Sequence, residues 1–144
     1  MKIALCSDEP YPIHDLICAD LEARKHKIQG FGSFASKRAE PWVECTLEAA
    51  RAVARGECEE GVYFCYTGTG ACIAANKIAG IRAALCVDAE TARNARIWNH
   101  ANVLVLSNRL ISAAVCREIL DVWFATDAHD PRGADAVQTL SLLA

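Results

Sequence analysis

Between an apolar run at residues 61–64 and the opening of a helix near Ala71, the chain reads Cys65-Tyr66-Thr67-Gly68-Thr69-Gly70. A thiol, two hydroxyls and two glycines therefore meet at one strand-to-helix turn. Without a Cβ to hold the backbone off, the N–H groups of Gly68, Thr69 and Gly70 can turn inward, and the helix that follows adds its positive dipole end. That setting suits a developing oxyanion. The same field favours the thiolate of Cys65, which would serve as a base or nucleophile near neutral pH. Taken alone, such a cysteine is more often one more small buried residue, and such a loop a tight connection. The run is not a nucleotide loop either: position 73 is Ile73 rather than glycine, and no Walker lysine follows.

Short apolar runs alternate with longer helical patterns, as in parallel-sheet units joined by crossover helices. Strands are expected at residues 2–6, 27–31, 61–65, 81–87 and 102–106. Helices are expected at residues 13–25, 41–55, 71–79, 89–99, 111–125 and 133–143, giving an α/β domain with helices on both faces. Residues 32–40 read as a loop that borders the pocket. With 144 residues, no linker and no internal repeat, residues 1–144 read as one domain.

Open sheets of this kind bind ligands outside the carboxyl ends of their strands. The first strand ends at Ser7-Asp8-Glu9, the third at Cys65-Tyr66-Thr67, and the fifth at Ser107-Asn108-Arg109. Asp8 and Glu9 would bring a hydrogen-bond acceptor and a proton carrier to the Cys65 turn. For each taken alone, a solvated acid beside a helix start is an equal alternative.

Composition excludes several classes. A net charge of −3 without any basic run argues against a nucleic-acid surface. The opening apolar residues are too few for a signal peptide and no stretch spans a bilayer, so a cytoplasmic protein without a membrane partner is expected. The eight cysteines are scattered with no C-x-x-C pair, which weakens zinc and redox-motif readings. His14, His26, His100 and His129 are isolated, so no metal and no cofactor are expected, and surface or core roles suit them better. Arg93 and Arg96 read as a solvated helix face. Trp123 and Phe124, with Val115, Ile119, Leu120 and Val122, read as a packed face or a dimer contact.

The longer run from Cys65 to Ala83, Cys-Tyr-Thr-Gly-Thr-Gly-Ala-Cys-Ile-Ala-Ala-Asn-Lys-Ile-Ala-Gly-Ile-Arg-Ala, resembles the type B ribose-5-phosphate isomerase and galactose-6-phosphate isomerase family. The likeness extends weakly over almost the whole chain, through Asp8, Asn102-Val103-Leu104, Arg109 and Arg132. It implies a three-layer, Rossmann-like α/β/α sandwich with a five-stranded, mainly parallel sheet. It also implies a homodimer with active sites shared between subunits, and leaves a tetramer open. The implied chemistry is aldose–ketose isomerisation of a small sugar or sugar phosphate through a cis-enediolate, with no metal or cofactor. By this resemblance Cys65 is the base; other members place a glutamate at the position of Ala71. Thr67 would hydrogen-bond the substrate oxygens, and the backbone of Gly68, Thr69 and Gly70 would hold the enediolate. Asp8 would bind or relay protons to hydroxyls, Asn99 would hydrogen-bond the substrate, and Arg109 and Arg132 would bind phosphate.

The departures fall at substrate contacts. Asp8-Glu9 stands where the family commonly has Asp-His, placing an anion where a phosphate-facing cation is usual. Trp98-Asn99 stands where many members have a ring-opening histidine before the asparagine. A tyrosine that often precedes the proline near Glu40-Pro41-Trp42 is absent, and Ala136 replaces an arginine. A substrate that cannot cyclise, such as a four-carbon sugar phosphate, needs no ring-opening group, and Trp98 would then fill the space. Alternatively the substrate lacks phosphate, with Glu9 binding hydroxyls and Trp42 or Trp98 stacking on a ring. Ordinary ribose 5-phosphate is the disfavoured substrate. Two other classes stay open: a non-catalytic carbohydrate-binding regulatory domain, and a redox thiol protein in which Cys65 resolves with Cys72 or Cys6.

Overall fold

The computed structural model describes residues 1–143; Ala144, the last residue of the expected single domain, lies outside the described residues. Five strands, β1 (Lys2–Ser7), β2 (Lys27–Gly32), β3 (Glu60–Cys65), β4 (Ala83–Leu85) and β5 (Val103–Ser107), form one sheet. Its order is β2-β1-β3-β5-β4, and every pairing is parallel.

Side chains alternate across each strand and so divide the core into two layers. Ile3, Leu5, Val62, Phe64, Leu104 and Leu106 face one way, against α1 (Ile13–Ala23), α5 (Ala89–Asn99) and α6 (Ala113–Ala125). Ala4, Cys6, Tyr63, Cys65, Val103 and Val105 face the other, against α3 (Trp42–Ala54) and α4 (Thr69–Ala75). The product is a three-layer α/β/α sandwich of Rossmann-like type. Trp123, Ile119 and Leu120 are fully buried on α6, as their spacing on one helix face predicts. All eight cysteines are free thiols. Among the described residues no helix is long and apolar enough to cross a membrane.

Four local differences from the sequence reading have physical causes. Residues 33–36 form a short helix, α2 (Ser33–Ser36), inside the expected loop. The run at 81–87 contributes only three residues of strand, and side chains hold its amino end. The Arg82 N–H donates to Asn102 Oδ1 (2.8 Å), and the Ala83 N–H donates to Asn76 Oδ1 (2.8 Å). The last helix divides into a 3₁₀ turn (Pro131–Gly133) and α7 (Ala134–Ser141). Arg96 is buried rather than solvated: it pairs with Glu60 (2.8 Å) and lies 4.6 Å over the Trp123 ring.

Candidate active site

The parallel register brings three strand ends together. Ser7 pairs with Phe64 and Cys65 with Ser107, so Asp8, one residue beyond Ser7, lies beside Cys65. Alternation sends Asp8 and Cys65 to the α3–α4 face, while Ser7 turns to the opposite one. The backbone of the fifth strand's end is stitched to this turn: the Asn108 N–H donates to the Cys65 carbonyl (2.9 Å) and the Arg109 N–H to the Tyr66 carbonyl (3.0 Å). Ser107 Oγ also donates to the Tyr66 carbonyl (3.0 Å).

The helix begins at Thr69, two residues earlier than expected, which makes the glycine turn part of its first turn. Gly68 has φ +82°, and a Cβ there would meet Leu85 Cδ1 at 2.5 Å, so no other residue fits without displacement. Its N–H points back at Cys65 Sγ (3.1 Å), the atom that would carry negative charge. Gly68 therefore holds the thiol, and the N–H groups of Thr69 and Gly70 remain for a ligand oxygen. The Thr67 and Thr69 hydroxyls are 2.8 Å apart; one donates to the other, which frees one O–H to donate outward. Gly70 passes under an indole: a Cβ on it would meet Trp42 Cζ3 at 3.0 Å.

Asp8 is half-buried, and burial, reinforced by the Glu9 charge, pushes its carboxyl above the usual carboxylate range. Its Oδ1 is buried without a hydrogen-bond partner among the described residues. Glu9 is exposed and accepts from the Tyr11 hydroxyl (3.4 Å). Arg109 is exposed at the same edge.

Trp98, Asn99 and Arg132 are not brought to this edge. Because α5 runs from the carboxyl end of β4 back to the amino end of β5, its last residues lie at the opposite edge of the sheet. There Arg132 Cζ lies 5.7 Å from the Trp98 ring centroid, and the Arg132 guanidinium forks onto Asp130 through Nε to Oδ1 (2.9 Å) and Nη2 to Oδ2 (2.8 Å). Those bonds hold the Asp130 carboxyl down at about 2. Asn99 lines an open groove of about 760 Å³ with Ile78, Ile81, Arg82 and Leu140. One chain thus carries two clusters of expected site residues at opposite sheet edges.

Across residues 3–140 the chain matches the family model described as Ribose/Galactose Isomerase. It is 32% identical to ribose-5-phosphate isomerase B of Escherichia coli over 143 residues, covering 99% of this chain and 95% of that protein. The chain belongs to the ribose/galactose isomerase family. It is therefore an enzyme of the aldose–ketose isomerase class, an intramolecular oxidoreductase. A D-erythrulose-4-phosphate isomerase of Pectobacterium atrosepticum is 38% identical over 100 residues, covering 69% of this chain and 64% of that protein. Among solved structures, ribose-5-phosphate isomerase B of Clostridium thermocellum superposes with a TM-score of 0.91 at 34% identity, covering 99% of this chain and 97% of that one.

Hydrogen bonds of Asn76 give the run after the glycine turn a physical role. The Asn76 side chain donates to the Ala83 carbonyl (2.9 Å) and accepts from the Ala83 N–H, completing the hydrogen bonds of an edge residue with no neighbouring strand on that side. The sequence reading named Trp42 as a residue that could stack on a ring and Asn108 at the end of the fifth strand, but it did not join His14 to Asn108. Trp42 had the signal of an aromatic directly after Pro41, whereas the partner of His14 is 94 residues away and leaves no local pattern.

Proposed function

We propose that the protein interconverts the aldose and ketose forms of a short, open-chain sugar phosphate through a cis-enediolate, with Cys65 as the base. The observation that carries this reading is the placement of Cys65 and Asp8 on one face at the ends of neighbouring strands, with the Gly68 N–H directed at Cys65 Sγ.

The Cys65 thiolate takes the proton from the hydroxyl-bearing carbon next to the carbonyl. The C–H electrons form the enediolate double bond, and the carbonyl π pair moves onto oxygen. The Thr69 and Gly70 N–H groups and the free Thr67/Thr69 hydroxyl donate to that oxygen. Asp8 relays a proton between the two substrate oxygens. The Cys65 thiol then returns its proton to the neighbouring carbon, so one carbon is reduced as the other is oxidised and no external electron acceptor is needed. A carboxyl already held above its ordinary range accepts such a proton readily, and a substrate hydroxyl would satisfy the orphaned Asp8 Oδ1.

Two features favour a four-carbon substrate that does not cyclise. Trp98 packs against Arg132, and its indole N–H does not titrate, so it cannot carry a proton to a ring oxygen. A D-erythrulose-4-phosphate isomerase is among the relatives. In this reading Arg109 binds phosphate, and Asn99, Trp98 and Arg132 of a second copy cover the Cys65 edge, since one chain holds these groups apart. The redox reading is less well supported, because burial holds Cys72 as a thiol and the hydrogen bond to Cys45, with burial, does the same for Cys6.

Proton NMR in D₂O tests this reading, with D-erythrulose 4-phosphate, ribose 5-phosphate and their unphosphorylated forms as probes. Deuterium appearing beside the carbonyl of the tetrose phosphate with wild type but not with Cys65→Ala is the expected result. Exchange that persists in folded Cys65→Ala contradicts it.

A further inference from the structure

Behind the Cys65–Asp8 face, the two nitrogens of one buried histidine join separate loops. The Tyr11 N–H donates to His14 Nδ1 (3.3 Å). A backbone N–H can only donate, so Nδ1 is the acceptor and the proton of the neutral ring sits on Nε2. His14 Nε2–H then donates to Asn108 Oδ1 (2.8 Å). That fixes the Asn108 amide, whose Nδ2 donates to Ser7 Oγ (3.3 Å), and the Ser7 hydroxyl donates onward to the Glu9 carbonyl (2.8 Å). Every donor in this series has one acceptor. It starts and ends in the loop after β1, and it passes through the residue beside Arg109.

We propose that His14 is a positioning residue, which clamps the Asp8–Glu9 loop to the Asn108–Arg109 loop so that the acid and the guanidinium keep one fixed relation. Neither residue on its own could set that relation, because Asp8 follows β1 and Arg109 follows β5, with β3 between those strands. The ring itself is held by packing: its centroid is 4.5 Å from Phe34 and 4.9 Å from Phe64. His14 touches no reacting atom; it acts through Asn108 and Ser7.

The clamp has a built-in pH dependence. Protonating Nδ1 sets an N–H against the Tyr11 N–H and opens the loop end of the series. Around the ring, Asp15 on α1 favours that protonation and Tyr11 supplies a neutral phenol edge. Asn108, just after β5, is neutral but its hydrogen bond also favours the protonated ring, while Phe34 on α2 and Phe64 on β3 carry no charge. Burial opposes protonation and pulls His14 below its ordinary range.

Nitrogen-detected NMR from pH 5 to 8 decides the proposal without any substrate. The expected spectrum shows the Nε2–H form of His14 near neutral pH. As the ring is protonated, the amides of Glu9, Tyr11 and Arg109 shift together with it. In Asn108→Ala the ring still titrates while Arg109 no longer follows. A ring that titrates without any response at Glu9 or Arg109, or that holds its proton on Nδ1, overturns the proposal. A kinetic arm rests on the isomerase reading and uses D-erythrulose 4-phosphate as the probe. His14→Phe, which keeps the stacking, and Asn108→Ala each lower kcat/KM by about tenfold, and the double variant loses no more. Additive losses also overturn it. If wild type turns over neither D-erythrulose 4-phosphate nor ribose 5-phosphate, the substrate reading fails while the spectra still decide the clamp. Should His14→Phe not fold, Asn108→Ala carries both arms.

Discussion

At the amino end of β3, Glu60 is buried with both carboxylate oxygens engaged, one by Arg96 Nη2 and the other by Trp123 Nε1, each at 2.8 Å. The Arg96 guanidinium is completed by the Ala101 carbonyl (2.8 Å) and the Thr126 carbonyl (3.2 Å). At the carboxyl end of the same six-residue strand, Cys65 shares its edge with Asp8, whose Oδ1 has no partner and whose carboxyl is pushed up by burial. The contrast separates two uses of buried polar groups. A fully partnered network makes the sheet rigid and specific, whereas a group left short of partners retains free energy that a ligand can release. At the edge where substrate would bind, that incompleteness falls on Asp8.

If that contrast holds, substitutions at the two ends have opposite signatures. The largest effect on rate is expected at Cys65. Cys65→Ala lowers isomerisation by about 10³-fold or more, the worth of a positioned base, with little change in Tm. Arg96→Ala has the largest effect on stability, about 3–5 kcal/mol, because it strands the buried Glu60 charge. Chemical denaturation measures that loss, and kcat at a permissive temperature should be nearly unchanged.

Asp8→Asn is expected to lower kcat by about 10–100-fold while raising Tm at pH 7. The sign follows from linkage. A carboxyl raised in the folded state binds more protons there than in the unfolded chain, so stability falls as pH rises from the ordinary carboxylate range through the raised value. The stabilisation by Asn should therefore be present at pH 7 and vanish near pH 3, as thermal melts across that range would show. Asp130→Ala has the smallest expected effect. Arg132 is exposed and Asp130 half-buried, so loss of the pair changes Tm little, while the freed Arg132 lowers KM for a phosphorylated substrate.

The sequence disclosed these two ends unequally. The Cys65 turn is written in adjacent residues: an apolar strand, a thiol, two glycines and a helix start are all within reach of local rules. The strands were equally readable, since fully buried parallel strands are continuous apolar runs, and β1, β3 and β5 fall within one or two residues of expectation. Arg96 was not. It sits in a polar helix among Glu90, Arg93 and Asn94, where spacing points to solvent, and only the fold brings Glu60 and Trp123 against it. The bond between His14, read as a surface or core histidine, and Asn108, named at the end of the fifth strand, was hidden for the same reason at greater range. The separation of Trp98, Asn99 and Arg132 from Cys65 was also hidden, because it follows from the direction in which α5 crosses the sheet rather than from any residue type.

Subunit complementation tests the central claim most directly. Cys65→Ala damages one sheet edge and Asn99→Ala the other. If a working site takes Cys65 from one copy and Asn99 from its partner, mixing the two variants under conditions of subunit exchange creates hybrids with one intact site. Equal mixing should then restore about a quarter of wild-type activity, half the dimers being hybrids with one good site of two. Hybrids that form but remain inactive would contradict the account.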